Sequence, residues 1–316
     1  MIGYVKSMRN RCSLLLGLMM ALLFRLAFGS AQELTTQGQA LAVCGDHYVL
    51  IIDAGLSDDT APRVIWKWSA LEAAELPEQY RTLYFRNIVE CKPVEGGEKI
   101  LVTAARGGVA IIERARKRVV FYAFVPQAHS MALLPRHRLI VAGATAAHGN
   151  GNCLELYNLD ASEKPVFRES LSSAHGVVWD ANRQLLYALG AHELRAYTLE
   201  AWETASPTLR LHAQWTIPGR GGHDLQPVPG QPEVLLLTER ENVWVFSQTT
   251  GQFIEFQPLA GKTNVKSVSL HPRSGQGAYV QAEEKWWAYH VRFFNPERVL
   301  SFPDFRVYKA RWLPQE

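Results

Sequence analysis

Short apolar or alternating segments dominate the chain after its first 31 residues. They are five to seven residues long and are separated by Gly, Pro and Asn, as in residues 233–239, 242–248 and 253–259. Segments of this length and spacing are typical of β-strands joined by turns. One short helix is predicted over residues 69–80, where Ser69 and Glu72 have the spacing of a capping box. The pattern predicts an all-β protein.

The strand-like segments recur in a repeated unit. Four unit starts align without gaps, and their first residues are 46, 48 and 43 positions apart: residues 129–135, 175–180, 223–229 and 266–272. A weaker copy starts at Val89, 40 positions before His129. Three strand-like segments follow each start, so each unit holds four strands. Four strands in about 40–50 residues are typical of one blade of a β-propeller.

The two ends of the repeated region complete each other. Residues 309–314 repeat the start of a unit, and residues 40–44, 48–53 and 64–68 supply the three strands that this start lacks. We therefore predict a six-bladed β-propeller with four-stranded blades, closed by the C-terminal strand joining the N-terminal blade. Closure of this kind leaves no open sheet edge.

Residues 1–31 are predicted to be a signal peptide. Basic residues precede an apolar run over residues 14–23, and the small residues 29–31 lie just before Gln32. The run is shorter than the roughly 20 residues of a spanning helix, and Arg25 follows it closely, so we expect cleavage rather than the alternative, an uncleaved anchor. Residues 32–316 would then be a single propeller domain, exported to the periplasm or secreted, with no stable membrane span.

Removal of the signal peptide changes the charge of the protein. The whole chain has 33 basic and 30 acidic residues, a net charge of +3. The signal peptide holds four of the basic residues and none of the acidic ones, which leaves 29 against 30. Nothing in the sequence predicts the basic stripe of a nucleic-acid-binding protein.

Three cysteines remain after cleavage, namely Cys44, Cys91 and Cys153. An odd number leaves at least one free thiol, and one disulfide among the three stays open. Their apolar strand contexts favour small buried thiols.

Polar residues concentrate at one predicted end of the propeller. In a meandering blade, the innermost strand starts at the same end as the loop between the second and third strands. The unit starts carry His129, His175, His223, Lys266 and Lys309, and three of the loops carry Arg106, His148 and Arg240. We predict that these residues line one mouth of the central channel and bind a ligand there.

Two kinds of ligand fit this set. His129, His175 and His223 could hold a divalent transition metal, with Glu90 or Asp224 adding a carboxylate. Their spacing follows from the repeat, however, and hydrogen bonds to one another, to water or to a carbonyl explain it equally well. Lys266 and Lys309 favour an anion instead. The alternative for each lysine is a salt bridge to a nearby acidic residue: Glu90, Glu239 or Glu283.

Other features give weaker signals. The tryptophans are predicted to pack between blades rather than to bind sugars: Trp66, Trp68, Trp244, Trp286 and Trp287. Residues 147–152 form a Gly-rich loop without the Lys-Ser/Thr ending of a phosphate loop. No GxSxG motif ties a nucleophile to a histidine, so catalytic residues are unknown and enzymatic activity stays open.

Five segments carry a resemblance to a known family: residues 43–46, 51–53, 66–68, 174–176 and 222–224. They resemble a family of secreted bacterial six-bladed propellers of uncharacterised function. The resemblance covers nearly the whole mature chain and implies this fold and export, without any catalytic residue. Propeller lyases that act on uronic-acid oligosaccharides are more distantly similar, since they carry histidines around a channel metal. No motif here is close enough to transfer their residues.

Three functional hypotheses follow. The first is a binding protein for a small anionic or carbohydrate ligand at the His/Lys-lined mouth. The second is a metal-dependent lyase or hydrolase that acts on acidic saccharides. The third is a scaffold that docks another protein.

Overall fold

The computed structural model describes residues 39–145 and 151–314. The predicted signal peptide and His148 lie outside these residues. The strands are β1 (Ala40–Gly45), β2 (Tyr48–Asp58), β3 (Ala61–Ser69), β4 (Ile88–Val94), β5 (Lys99–Ala104), β6 (Gly108–Glu113), β7 (Arg118–Phe124), β8 (Ala128–Leu134), β9 (Arg138–Gly143), β10 (Cys153–Asn158), β11 (Pro165–Ser170), β12 (Gly176–Asp180), β13 (Leu185–Leu189), β14 (Glu193–Glu200), β15 (Thr208–Thr216), β16 (Asp224–Val228), β17 (Gln231–Thr238), β18 (Val243–Ser247), β19 (Gln252–Glu255), β20 (Val265–Leu270), β21 (Gly277–Gln281), β22 (His290–Phe294), β23 (Arg298–Ser301) and β24 (Val307–Trp312).

These strands form six antiparallel sheets of four strands each, arranged as a ring of blades. Five blades are consecutive in sequence, and their innermost strands are β4, β8, β12, β16 and β20. Each inner strand packs against the inner strands of the two neighbouring blades. The predicted six-bladed β-propeller is confirmed.

The remaining blade closes the ring. Its order is β24-β1-β2-β3, and β24 pairs antiparallel with β1 in a register that places Leu41 opposite Trp312 and Val43 opposite Ala310. This pairing covers the edge of β1 with the C-terminal strand, as the complementary chain ends predicted.

The hydrophobic core lies between blades rather than at a single centre. One cluster of buried side chains joins the first and second blades through residues such as Trp68 and Phe85, and four others join further pairs of neighbouring blades. The middle strands are therefore buried on both faces, as in β9, where every residue is buried. Outer strands such as β15 alternate or are exposed.

The predicted helix over residues 69–80 is wrong as a continuous element. A 3₁₀ turn spans Ala70–Glu72, with the Ser69 hydroxyl accepting a hydrogen bond from the Leu71 amide at 3.3 Å, and a separate π-helical turn spans Tyr80–Tyr84. Pro77 lies between the two turns, and the residue before a proline disfavours helical geometry. Two further 3₁₀ turns span Glu95–Gly97 and Gln257–Leu259. Among the described residues, no helix has the length and apolar character to span a bilayer.

The tryptophans do not all pack between blades. Trp68 is only 2% exposed, and Trp66 and Trp244 pack against buried clusters. Trp286 is 57% exposed, so the packing prediction is wrong for this residue. It lies in the connection between β21 and β22, outside the strands that are sandwiched by neighbouring blades.

Candidate functional site

A bulge recurs at the start of four of the inner strands, β4, β8, β20 and β24, and helps to set the position of the candidate site. In β8, Ala128 and Ser130 pair with consecutive residues of β9 while His129 is skipped, and Val89 and Lys266 are skipped in the same way in β4 and β20. The amides of His175 and His223 donate to the carbonyls of Leu189 and Thr238, the residues that pair with the next position of their strands. An extra residue of this kind redirects its side chain.

The bulge corrects the predicted position of Lys309. In β24 the skipped residue is Tyr308, so Tyr308 is the counterpart of the histidines and Lys309 follows one position later. Lys309 therefore corresponds to Glu90, which also follows a bulge, and to Asp224, which follows His223. The sequence alignment placed Lys309 one position too early, although the proline of the repeat marks the register: Pro314 lies six positions after Tyr308, as Pro135 does after His129.

Lys309 belongs to a buried group that we call the central ion cluster: Glu90, Asp224, Lys309 and Arg311. Lys309 Nζ lies 3.2 Å from Glu90 Oε2 and 3.1 Å from Asp224 Oδ1. Arg311 makes two hydrogen bonds to each carboxylate, at 2.9 and 3.0 Å to Glu90 and at 2.8 and 2.6 Å to Asp224. All four residues are at most 2% exposed. The alternative interpretation of Lys309, a salt bridge to Glu90, is what the structure contains.

Glu90, Asp224 and Arg311 are stabilised in their charged forms. Burial raises the pKa of Glu90 and of Asp224, but Arg311 and Lys309 outweigh this effect and hold both carboxyl pKa values below their usual range. Burial lowers the pKa of Arg311, and the two carboxylates more than reverse it. The cluster thus joins three blades, since Glu90, Asp224 and Arg311 lie on β4, β16 and β24.

The three predicted histidines form a row, which we call the histidine row: His129, His175 and His223. The ring centroids of His129 and His175 are 4.2 Å apart, and those of His175 and His223 are 5.4 Å apart. Nδ1 of His129 lies 2.7 Å from the Gln127 carbonyl oxygen, and Nδ1 of His175 lies 2.8 Å from that of Ser173. A carbonyl oxygen only accepts, so both Nδ1 atoms donate, and in the neutral ring each Nε2 keeps its lone pair.

His223 has a different partner. Its Nε2 atom lies 2.9 Å from Lys266 Nζ, and its Nδ1 atom is buried without a hydrogen-bond partner among the described residues. Because the ammonium donates, Nε2 accepts and the proton of the neutral ring lies on Nδ1. The lysine and the end of the histidine row are therefore one hydrogen-bonded unit.

Two glycines allow the blades to approach closely beside these histidines. A Cβ atom on Gly176 would lie 2.6 Å from Leu225 Cβ, and one on Gly222 would lie 2.7 Å from the Gly190 carbonyl oxygen. Contacts this short exclude any larger residue without a shift of the backbone. The glycines next to His175 and His223 thus fix the spacing of the fourth and fifth blades.

Lys266 is buried without a carboxylate partner. It is 1% exposed, and within the described residues no carboxylate oxygen lies within 4.0 Å of its Nζ atom. The two remaining acids considered as partners are engaged elsewhere. Glu239 accepts hydrogen bonds from the amides of Arg220 and Glu241, and Glu283 contacts Arg292.

The pKa values reflect this environment. Burial and, to a smaller extent, the charges of Lys309 and Lys266 lower the pKa of His129 to about 4, against the opposing effect of the hydrogen bond to Gln127. Burial also lowers the pKa values of His175 and His223, so all three rings are neutral at pH 7. Burial lowers the pKa of Lys266 to about 8, and the charges of Arg240 and Lys309 add to the effect.

Two loop residues, Arg106 and Arg240, are also predicted to line the site. Arg240 lies between β17 and β18, is exposed, and is near enough for its charge to affect Lys266 and His223. Arg106 is exposed in the turn between β5 and β6, and no described contact joins it to the histidine row. Neither arginine has the buried setting of Lys266.

The histidine row meets only part of the requirement for a metal site. Metal-ligating histidines usually donate their second N–H to a carbonyl or carboxylate, and His129 and His175 both do so. Nε2 of His223 is taken by Lys266, whose positive charge opposes a cation. Within residues 39–145 and 151–314, no group of three or more His, Cys, Asp or Glu side chains has an arrangement suited to a metal ion.

Sequence reasoning missed three residues of this region. Arg311 completes the central ion cluster, and Lys92 Nζ donates to the carbonyls of Met131 and Val177, both at 3.0 Å. Trp286 lies over Lys266, with 5.4 Å between Nζ and the ring centroid. Alternation along the inner strands could have found Lys92 and Arg311, which lie two positions after Glu90 and Lys309. The cysteines add no further site, since Cys44 and Cys91 are buried free thiols and Cys153 is also buried.

Comparison with known proteins identifies the family. A model described as a family of unknown function, DUF6528, matches residues 12–316, so the chain belongs to this family. No curated protein matches the chain. The family assignment agrees with the six-bladed fold and assigns no activity.

Proposed function

We propose that this member of the DUF6528 family binds a small anionic ligand at one mouth of the propeller channel, where the histidine row meets Lys266. The observation that carries the proposal is the ammonium of Lys266, which is buried without a carboxylate within 4.0 Å among the described residues. A buried charge without a counterion costs free energy. An anion that reaches Lys266 removes this cost, and the gain appears as affinity.

The charge balance around the central ion cluster supports an anion. The two carboxylates of the cluster, Glu90 and Asp224, lie among twice as many cations: Lys92, Lys266, Lys309 and Arg311. The carboxylates are shared by Lys309 and Arg311, which leaves Lys266 and Lys92. Lys92 is saturated by carbonyl oxygens, so Lys266 is the cation that a ligand would meet.

The histidines support a ligand that also carries hydroxyl groups. The Nε2 atoms of His129 and His175 keep a lone pair and are neutral at pH 7, so they accept hydrogen bonds and do not donate them. A hydroxylated carboxylate, such as a sugar acid, offers both a negative charge for Lys266 and hydroxyl donors for the imidazoles.

Binding of four defined anions tests the proposal. Acetate, citrate, glucuronate and inorganic phosphate are titrated calorimetrically into wild type, Lys266→Met and Lys99→Met, the last removing an exposed lysine of a surface pair. We expect glucuronate to bind wild type and Lys99→Met alike, and Lys266→Met to bind it about 10- to 100-fold more weakly, the effect of one charge-assisted hydrogen bond. Equal affinity of wild type and Lys266→Met, or no binding of any of the four, overturns the proposal.

A metal-dependent lyase or hydrolase is the second candidate, and the hydrogen bonds from His129 and His175 to backbone carbonyls favour it. Elemental analysis compares wild type with a variant in which His129, His175 and His223 are all alanine. Stoichiometric metal in wild type alone supports the metal site, and acidic oligosaccharides would then be screened for cleavage. Absence of metal from both folded proteins removes this candidate.

Export and a protein partner are separate proposals. We propose that residues 1–31 direct export and are removed, on the basis of the basic start and apolar run of the sequence. N-terminal sequencing of the exported protein checks this and should begin at Gln32. The scaffold hypothesis predicts a partner whose binding is unaffected by the alanine variant of the histidine row.

A further inference from the structure

Lys266 has the surroundings of a reactive amine. Its Nζ atom donates to His223 Nε2 at 2.9 Å, and no carboxylate of the described residues holds its positive charge. The indole of Trp286 lies over the same atom at 5.4 Å. Lysines that are desolvated or placed beside other cations are the ones that act as nucleophiles in proteins.

Two physical effects favour the neutral amine. Burial lowers the pKa of Lys266 to about 8, and the charges of Arg240 and Lys309 act in the same direction. His223 Nε2 lies within hydrogen-bond distance of this amine, so its lone pair can relay a proton from the nitrogen to the oxygen of a bound carbonyl group.

We propose that Lys266 condenses with the carbonyl group of a small oxo acid bound at the histidine row, and forms a Schiff base. This inference rests on the proposed function, since the anionic group of the oxo acid is what Lys266 and its surroundings attract. It narrows the ligand to carboxylates that also carry an aldehyde or ketone.

The step is balanced within the site. The ammonium of Lys266 first loses one proton to solvent, and the Nζ lone pair of the amine forms a bond to the carbonyl carbon while the C=O π pair moves to oxygen. The nitrogen of this adduct is positively charged, and one of its two protons passes through His223 Nε2 to the negatively charged oxygen, which gives a neutral carbinolamine. Solvent then protonates the hydroxyl group, which leaves as water while the nitrogen lone pair forms the C=N bond. One N–H proton remains, so the product is the protonated imine.

Access to the amine depends on Trp286. Lys266 is 1% exposed, whereas Trp286, which lies over it, is 57% exposed. An exposed side chain changes rotamer in nanoseconds or less, and the proposed reaction requires that rotation of the indole uncovers Nζ.

Lys92 provides an internal comparison. Burial lowers its pKa to about 8 as well, against the opposing charge of Glu90. Its Nζ atom, however, donates to the carbonyls of Met131 and Val177 and to the Ser130 hydroxyl. None of these atoms is a base at neutral pH, so Lys92 should not react even though its pKa resembles that of Lys266.

Reductive trapping with glyoxylate tests the inference. The purified protein is incubated with glyoxylate, an aldehyde that carries a carboxylate, and with cyanoborohydride at about pH 8, the pKa of the amine; peptide mass spectrometry then locates carboxymethyl-lysine. We expect saturable labelling of Lys266 ahead of every other lysine, Lys92 included. His223→Gln should slow the labelling about 100-fold, as loss of a general base does. Trp286→Ala should accelerate it.

The outcomes separate this inference from the proposed function. Labelling confined to exposed lysines in both wild type and Trp286→Ala overturns the inference. If glucuronate still binds wild type in that case and binds Lys266→Met more weakly, the anion site stands without the Schiff base. If neither glucuronate binding nor Lys266 labelling is found, both fail.

Discussion

The central ion cluster and the pair of Lys266 with His223 each contain a buried lysine of an inner strand, but the partners of the two ammonium groups differ. Lys309 lies between two carboxylates, at 3.2 and 3.1 Å, and both acids are also bound by Arg311. Lys266 is equally buried and has a neutral imidazole as its partner. In the central ion cluster, every charged group contacts a group of opposite charge. The ammonium of Lys266 has no such partner among the described residues and can pair with the charge of a bound anion.

The physical cost of burial explains why the difference matters. Moving an ion out of water costs several kcal/mol, and a nearby counterion with good geometry offsets this cost. Arg311 makes four hydrogen bonds to two carboxylates, so its cost is offset. The hydrogen bond from Lys266 to His223 offsets less because the imidazole carries no negative charge.

Removal of Arg311 should have the largest effect on stability. In Arg311→Met, the carboxylates of Glu90 and Asp224 remain buried with only Lys309 between them. Breaking a buried pair in this way costs about 3–5 kcal/mol, so we expect the free energy of unfolding to fall by that amount. Denaturant unfolding followed by tryptophan fluorescence measures it.

The exposed pair of Lys99 with Glu95 provides the control for Arg311→Met. Its removal in Lys99→Met should change the free energy of unfolding by less than about 1 kcal/mol. A comparably small effect of Arg311→Met would show that the central ion cluster does not hold the three blades together.

Lys266→Met should have the opposite sign. Burial lowers the pKa of Lys266 from 10.5 to about 8, which means that the folded state disfavours the ammonium at pH 7. At 1.36 kcal/mol per pKa unit, replacing it with an uncharged side chain of similar length should stabilise the fold by about 3 kcal/mol. The same denaturant unfolding measures this, beside the loss of anion binding.

A stabilising substitution that weakens binding is the pattern expected where a protein retains a charge for its ligand. If Lys266→Met instead destabilised the protein as strongly as Arg311→Met, Lys266 would have a structural role like that of the central ion cluster. The contrast between the two lysines would then be lost.

The blades could be predicted from the sequence, because hydrophobic alternation and the repeat of 43–48 residues are local properties. The predicted starts at His129 and Lys266 are the bulged residues of β8 and β20, and His175 and His223 directly precede β12 and β16. The position of Lys309 was wrong by one residue, although the spacing of Pro314 from Tyr308 equals that of Pro135 from His129 and marks the correct register.

The long-range pairs could not be predicted. Glu90 and Arg311 are separated by 221 positions, and their contact requires the C-terminal strand to lie beside both β1 and β4. The lack of a carboxylate next to Lys266 is likewise invisible in the sequence, where Glu239 and Glu283 are candidates by position. Only the folded loops show that these acids bind amides and Arg292 instead.

The smallest of the three expected changes in stability is a loss at acidic pH. The pKa of His129 is about 4 in the folded protein and about 6.5 in an unfolded chain, so the unfolded state binds the proton more readily between these values. Stability should therefore fall as the pH drops from 6.5 towards 4. Between pH 7 and pH 5, His129 alone accounts for about 2 kcal/mol of the loss. Denaturant unfolding at both pH values should show a correspondingly smaller loss for His129→Gln.

His129→Gln also bears on the contrast between the two groups. The carboxylates of the central ion cluster have lowered pKa values, and stability that depends on them is lost only at pH values below those of ordinary carboxyl groups. A loss above pH 5 therefore reports on the histidine row. Lys99→Met serves again as the control and should retain the wild-type loss. An identical loss in wild type and His129→Gln would mean that burial does not keep this ring neutral, and the hydrogen-bond acceptors proposed for the ligand hydroxyls would have to be sought elsewhere.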